Sequence, residues 1–147
     1  MKKLAKDFDI KGILRILDAN TNRAKEGLRV CEEVARFYLD SPKLTLEFKR
    51  IRHGLDKALG PKARFILERC SRNDVGRKIH QFELKRSNVK DIFLANIQRV
   101  KESIRVLEEF FKLKNKKIAL DFKKSRYAIY ELEKKVIQRV RALYNTR

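Results

Sequence analysis

The sequence predicts an all-α fold: a helical bundle built from two duplicated helical hairpins with a connecting functional loop. Three observations predict it. Only five Gly and two Pro interrupt 147 residues. The charged 39% and hydrophobic 43% of the chain are rich in Lys, Arg, Glu and Leu, which favour helix. Finally, one long polar motif occurs twice. Ala19-Asn20-x-x-Arg23-x-Lys25-Glu26-x-x-Arg29-Val30-x-Glu32-Glu33 returns as Ala95-Asn96-x-x-Arg99-x-Lys101-Glu102-x-x-Arg105-Val106-x-Glu108-Glu109. The echo continues downstream, where Leu44, Phe48, Lys49 and Arg52 are answered by Ile118, Phe122, Lys123 and Arg126. Such a long period marks a duplicated half-protein within one domain spanning residues 1–147. The halves cover residues 13–59 and 89–135, roughly, with a linker over about 60–88.

Each element has a local reason. The apolar period predicts a first helix from about Gly12 to Leu39. Ser41-Pro42 reads as N-cap and first position of a second helix, which Gly60-Pro61 ends. A short helix from Lys62 to Glu68 follows, and then an ordered loop, Cys70 to Arg77, without apolar period. Ser87 or Asn88 caps a third long helix, Val89 to Leu113. The run Lys112–Lys117 is a turn, and the last helix spans Ile118 to Leu143.

The duplication repeats polar residues, which a mere core duplication would not. On the first helix, Leu17, Ala24, Leu28, Cys31, Val34 and Ala35 share a face with Asn20 at its centre and Gly27 beside it. In the second repeat Asn96 occupies the same place among Phe93, Val100, Ile104, Leu107 and Phe111, with Ser103 for Gly27. An amide on a core face must find partners or costs about 1–3 kcal/mol. A small residue two turns later leaves room beside it, so a polar cavity between helices is expected. The alternative is an amide bonded to a neighbouring helix. Arg23 and Arg99 flank this face and suit bidentate phosphate binding. The charges after them, Arg29, Glu32, Arg105 and Glu108, read as (i, i+3) ion pairs facing water. Glu26 and Glu102 lie between.

The linker adds Arg69, Arg72, Asp74, Gly76, Arg77 and Arg86. A carboxylate and a glycine inside a basic loop suit a metal–phosphate site: Asp74 to hold Mg²⁺, Gly76 to let the backbone approach an anion. An Asx-turn with solvated charges explains the same residues. Arg126-Tyr127-x-x-Tyr130 on the last helix answers Arg52-His53 in the first half, and Tyr127 either packs or binds.

A net charge of +19 attracts anions: nucleic acid, anionic membrane or phosphorylated small molecules. Cys31 and Cys70 are too few for a disulfide scaffold or a zinc site; Cys31 reads as core and Cys70 as loop. No signal peptide or span of membrane length is evident, so a cytoplasmic location is expected. Walker and Gly-rich nucleotide loops are absent. Two histidines in these contexts build no nucleophilic triad.

The combination Arg15-Ile-Leu-Asp-Ala-Asn20-x-x-Arg23-x-x-Glu26-Gly-Leu-Arg29-Val, Asp74-x-Gly76, the second Ala95-to-Glu109 motif and Arg126-Tyr-x-x-Tyr130-x-x-Glu133 resembles a small thiamin-biosynthesis family. That family stands alone or is fused ahead of thiamin-phosphate synthase. The resemblance implies an ATP- and Mg²⁺-dependent kinase that converts hydroxymethylpyrimidine monophosphate to the diphosphate. An Asp usually follows the family's arginine at position 69 and a Thr its glycine at 76; this chain has Cys70 and Arg77. With 147 residues and no alternating strands, the chain is not a (β/α)₈ synthase barrel.

The resulting expectation names Arg23, Arg99, Arg69 and Asp74 for catalysis. Asn20, Asn96, Arg86, Arg126, Gly76 and Tyr127 are expected to bind substrate, and Asp74, Glu26 and Glu102 to hold the metal. The expected partners are ATP and a phosphorylated pyrimidine, with thiamin-phosphate synthase as a functional partner, no membrane, and self-association left open. Two rival readings are a basic helical nucleic-acid binder and a non-catalytic pyrimidine-phosphate binder or partner of thiamin-phosphate synthase. Carboxylates beside each motif arginine disfavour the first of these.

Overall fold

A computed structural model of the protein describes residues 2–61, 63–78 and 80–146. Its helices are α1 (Lys2–Glu33), α2 (Pro42–Leu59), α3 (Ala63–Leu67), α4 (Val89–Phe111) and α5 (Lys116–Asn145). No strand occurs among the described residues, and the architecture is all-α. None of its helices is long and apolar enough to cross a membrane, among the described residues.

The helix ends follow from cap chemistry. Ser41 Oγ accepts the Leu44 N–H, and Pro42 takes the first position, where its missing N–H costs nothing. Gly60 ends α2 at φ 66°, a left-handed conformation open to glycine. Asn88 Oδ1 accepts the Asp91 N–H at 2.9 Å and starts α4. Asn115 Oδ1 accepts from both Lys117 and Ile118 and starts α5 two residues before the expected position. The first helix begins at Lys2 instead of Gly12, the stretch before Gly12 being rich in Lys and free of Gly and Pro. Of the expected short helix, Ala63–Leu67 is observed and Lys62 lies outside the described residues.

The two halves do not turn alike. Glu32 and Glu108 are 76 positions apart, whereas Arg52 and Arg126 are 74 apart, so the first half carries two additional residues at its turn. They fall where α1 widens into a π-helical turn over Val34–Tyr38, followed by Asp40 at φ 46°. The turn from α4 to α5 needs no such device.

The core runs between α1 and α4, with α2 packed on α1 and α5 on α4. On α4 the buried residues Phe93, Ile97, Val100, Ile104, Leu107 and Phe111 recur at alternating steps of four and three, the spacing of a bundle seam. Phe93 meets Phe48 of α2 edge-on, with ring centroids 6.3 Å apart. Phe111 meets Phe122 of α5 at 5.3 Å. Gly27 lies at the α1–α4 contact: a Cβ there would stand 2.7 Å from Val100 Cγ2 and 3.0 Å from the Asn96 carbonyl oxygen. The space left by Gly27 is therefore filled by α4. It does not open into the polar cavity that the sequence led us to expect.

Candidate functional site

Asn20 and Asn96 satisfy their amides in the same way. Asn20 Nδ2 donates to the Ile16 carbonyl at 2.9 Å, and Asn96 Nδ2 donates to that of Ile92 at 2.8 Å. Each bond runs one turn back along its own helix, not to a neighbouring one. The surroundings then differ. Asn20 is buried and lines a cavity of about 710 Å³ between α1 and the segment after α3. Asn96 is half-buried at the α1–α4 contact, its carbonyl against Gly27, and lines neither this cavity nor the one between α4 and α5.

The α1 cavity brings together Asn20, Arg23 and Glu26 from one helix with Arg69 and Asp74 from the linker. Arg15 and Asp18, to which the sequence reading gave no role, complete its charged lining. Three arginines thus share the cavity with three carboxylates. Asp18 is the residue the reading missed. It is buried, and its two oxygens accept from Arg69 Nε at 2.6 Å and Arg69 Nη2 at 2.8 Å. The carboxylate raises the Arg69 pKa further, first through these hydrogen bonds and then by its charge. A signal existed: the duplicated frame puts Leu94 where Asp18 stands.

Asp74 closes a tight turn, its Oδ1 accepting the Gly76 N–H at 2.9 Å. This is the Asx-turn foreseen as the alternative, formed at the cavity wall. A Cβ on Gly76 would meet Asp74 Oδ1 at an ordinary 3.4 Å, and Gly76 itself stands outside the lining. Among the described residues no three His, Cys, Asp or Glu side chains gather into a metal cage. Mg²⁺ keeps several waters and takes phosphate oxygens, needing only one or two protein carboxylates. Asp74 from the linker and Glu26 from α1 both line the cavity, and two carboxylates suit such an ion arriving with a polyphosphate.

The remaining expected residues lie elsewhere. Glu102 and Arg126 line a second cavity of about 430 Å³ between α4 and α5, with Lys101, Arg105 and Tyr130. Glu102 accepts from Gln98 Nε2 at 3.0 Å. Arg126 is committed within the protein: Nε donates to Glu108 at 3.0 Å and Nη1 to the Tyr130 hydroxyl at 3.0 Å. These bonds, that to Tyr130 foremost, raise its pKa. Tyr127 is exposed and packs edge-on against Tyr130, centroids 5.8 Å apart. Arg99 and Arg86 are exposed and line neither cavity; Arg86 Nη1 donates to the Lys85 carbonyl at 2.6 Å.

The later charges of the motif do not all face water. Glu32 and Glu108 are buried. Glu32 Oε1 accepts from Arg29 and Oε2 from Arg52, at 3.4 and 2.9 Å. Glu108 Oε1 accepts from Arg105 and Oε2 from Arg126, at 2.8 and 3.0 Å. The second arginine of each cluster comes from the neighbouring helix, so the (i, i+3) pairs seen along one helix were half of each arrangement.

Residues 15–135 match the ThiD2 family. The chain belongs to that family. It is 42% identical over 138 residues to a protein named thiamine-phosphate synthase from Nostoc punctiforme, covering 92% of this chain and 39% of that protein. A protein of the same name from Synechocystis sp. is 42% identical over 136 residues, covering 87% of this chain and 38% of the relative. One from Rhodopirellula baltica is 39% identical over 131 residues, 84% of this chain and 35% of the relative. The ThiD2 chain thus spans under two-fifths of the length of these curated relatives. No solved structure matches it.

Proposed function

We propose that this ThiD2 chain acts in thiamin biosynthesis as a kinase, transferring a phosphoryl group from ATP to hydroxymethylpyrimidine monophosphate. The observation that carries the reading is the α1 cavity, where Arg15, Arg23 and Arg69 meet Asp18, Glu26 and Asp74 around one buried amide. Both substrates and both products are polyanions. Their chemistry needs alignment and charge neutralisation more than covalent catalysis. Arg23 and Arg69 would bind phosphate oxygens and hold the acceptor in line with the γ-phosphorus. A phosphate oxygen of the acceptor forms the new bond as the bond to ADP breaks, so no strong general base is required. Asp74 and Glu26 would hold Mg²⁺, which when bound offsets phosphate charge. The mixed lining also disfavours the nucleic-acid reading, since unpaired carboxylates repel phosphodiesters.

Asn20 would read a ring. Its second Nδ2 proton and its Oδ1 match the aminopyrimidine edge that adenine and hydroxymethylpyrimidine share. A non-catalytic role beside thiamin-phosphate synthase is the second reading, favoured by the names and greater length of the relatives.

The deciding experiment incubates the purified chain with Mg²⁺-ATP and hydroxymethylpyrimidine phosphate and follows the diphosphate by chromatography. Stoichiometric diphosphate and ADP are expected. Absence of turnover, with ligand binding retained, favours the second reading. Thermal stabilisation by duplex DNA at low salt but not by Mg²⁺-ATP would revive the nucleic-acid binder.

A further inference from the structure

We propose that Asp18 is a positioning residue of the α1 cavity: its carboxylate holds Arg69 so that the unengaged edge of the guanidinium receives a phosphate group. The inference rests on the phosphate-binding reading above, but its test does not require turnover.

Asp18 is anomalous in three respects. It is a carboxylate on the buried side of a long helix, where the duplicated frame has Leu94. It is paired across 51 positions with the linker, the one stretch without a counterpart in the other half. And it engages Arg69 by Nε and Nη2 together, at 2.6 and 2.8 Å, which fixes the plane of the guanidinium. A second contact, from Asn22 Nδ2 at 3.4 Å, steadies the carboxylate from the same helix.

The geometry leaves Nη1 of Arg69 without a protein partner among the described residues, on a side chain that lines the cavity and is 44% exposed. Arginine has five donors; a carboxylate on one edge leaves donors on the other for an anion. The pairing also anchors the linker just before Cys70, Ser71 and Asp74, which form the facing wall. A flexible arginine would lose rotamer freedom on binding phosphate, and Asp18 removes that cost beforehand.

Positioning and simple electrostatics predict opposite signs. If Asp18 acted only through its charge, neutralising it would strengthen phosphate binding. If it positions Arg69, neutralising it weakens binding. Asp18→Asn tests this, because an amide NH₂ in place of one acceptor oxygen faces an Arg69 donor and breaks the paired contact.

Cys70 supplies the readout. It is exposed, adjoins Arg69 and lines the cavity, whereas the only other cysteine, Cys31, is buried. The probe is inorganic pyrophosphate without metal, and the measurement is the rate of Cys70 alkylation by iodoacetamide. Pyrophosphate is expected to slow alkylation of the wild type. Asp18→Asn should raise the half-protecting concentration about tenfold, the worth of one charge-assisted hydrogen bond. Arg69→Gln should raise it as much, and the double variant should match Arg69→Gln within about twofold, because Asp18 acts through Arg69. A structural role alone would lower the melting temperature without this non-additivity. Protection in Asp18→Asn at an equal or lower concentration overturns the proposal. So does a further tenfold loss from Asp18→Asn in the Arg69→Gln background, or no protection of the wild type. Should Asp18→Asn fail to fold, Asp18→Glu replaces it, keeping the charge but displacing the contact. Its half-protecting concentration should rise at least threefold, and an unchanged value overturns the proposal. Failure of the kinase assay with protection intact would refute the reaction and leave the role of Asp18 standing.

Discussion

A Cβ on Gly27 would lie 2.7 Å from Cγ2 of Val100, so α1 and α4 meet where only glycine allows it. The Asn96 carbonyl oxygen, at 3.0 Å from the same point, is backbone and cannot rotate away. Valine is no softer, because its branched side chain has one strongly preferred rotamer in a helix. Gly27→Ala gains up to about 1 kcal/mol of helix propensity but forces the helices apart. Overpacking of this kind costs about 1–3 kcal/mol, so a net loss of stability is expected in urea denaturation. Equal or greater stability for Gly27→Ala would mean that the helices are not in such close contact.

The buried carboxylates Glu32 and Glu108 give a second prediction. Each holds an arginine of the adjacent helix that is itself mostly covered, Arg52 and Arg126 having side chains 16% and 14% exposed. Removing a carboxylate leaves a guanidinium in a partly desolvated place without its counter-ion. Glu32→Ala and Glu108→Ala should each cost about 3–5 kcal/mol, and for a chain of this size lower Tm by roughly 10 °C or more. Replacing Glu32 and Arg52 together by apolar residues of similar volume should recover much of the loss. A single variant indistinguishable from wild type would return these residues to the class of surface ion pairs.

What was legible in the chain was what is local. Ser41-Pro42, Gly60 and Asn88 declare helix ends because a cap satisfies neighbouring backbone groups, and the alternating apolar steps of α4 declare its buried face. The inward position of Asn20 and its grouping with Arg23 and Glu26 follow from two turns of one helix. Asp18 and Arg69 were not legible as a pair, because their meeting depends on the linker folding back over α1. Glu32 and Glu108 looked solvated for a similar reason: the second arginine of each cluster arrives from another helix. Gly27 misled because a small residue on an inner face marks either a cavity or a close approach, and only the position of α4 distinguishes them.

The asymmetry of the two repeated amides yields a third prediction. Asn20 lines the α1 cavity, whereas Asn96 sits against Gly27 at the α1–α4 contact and does not line that cavity. In the kinase assay, Asn20→Ala should raise KM for one substrate about tenfold or more, since a ring-edge pair is worth about 1–3 kcal/mol. Asn96→Ala should leave both KM values within about twofold and act instead on stability. Equal kinetic effects of the two would refute the assignment of ring recognition to the first half.

The last prediction concerns pH and Cys31. Burial, and secondarily the charge of Glu133, push its thiol up from 9.0 to about 12. Its thiol donates a weak hydrogen bond, Sγ lying 4.0 Å from the Phe93 carbonyl oxygen. The folded state therefore holds the thiol proton more tightly than the unfolded chain does. Below pH 9 the contribution is fully present. Between pH 9 and about 12 the unfolded chain loses its proton while the folded one keeps it, and stability falls by up to about 1.4 kcal/mol per pH unit. Many lysines and tyrosines titrate in the same window, so the effect is read as a difference. Urea denaturation of wild type and Cys31→Ala at pH 8, 9.5 and 10.5 should show wild type losing ground to the variant as pH rises. Parallel pH profiles would show that Cys31 does not resist ionisation in the fold. Alkylation provides the kinetic counterpart: at pH 8 Cys70 should react within minutes and Cys31 only on unfolding, because the thiolate is the reactive form and burial suppresses it.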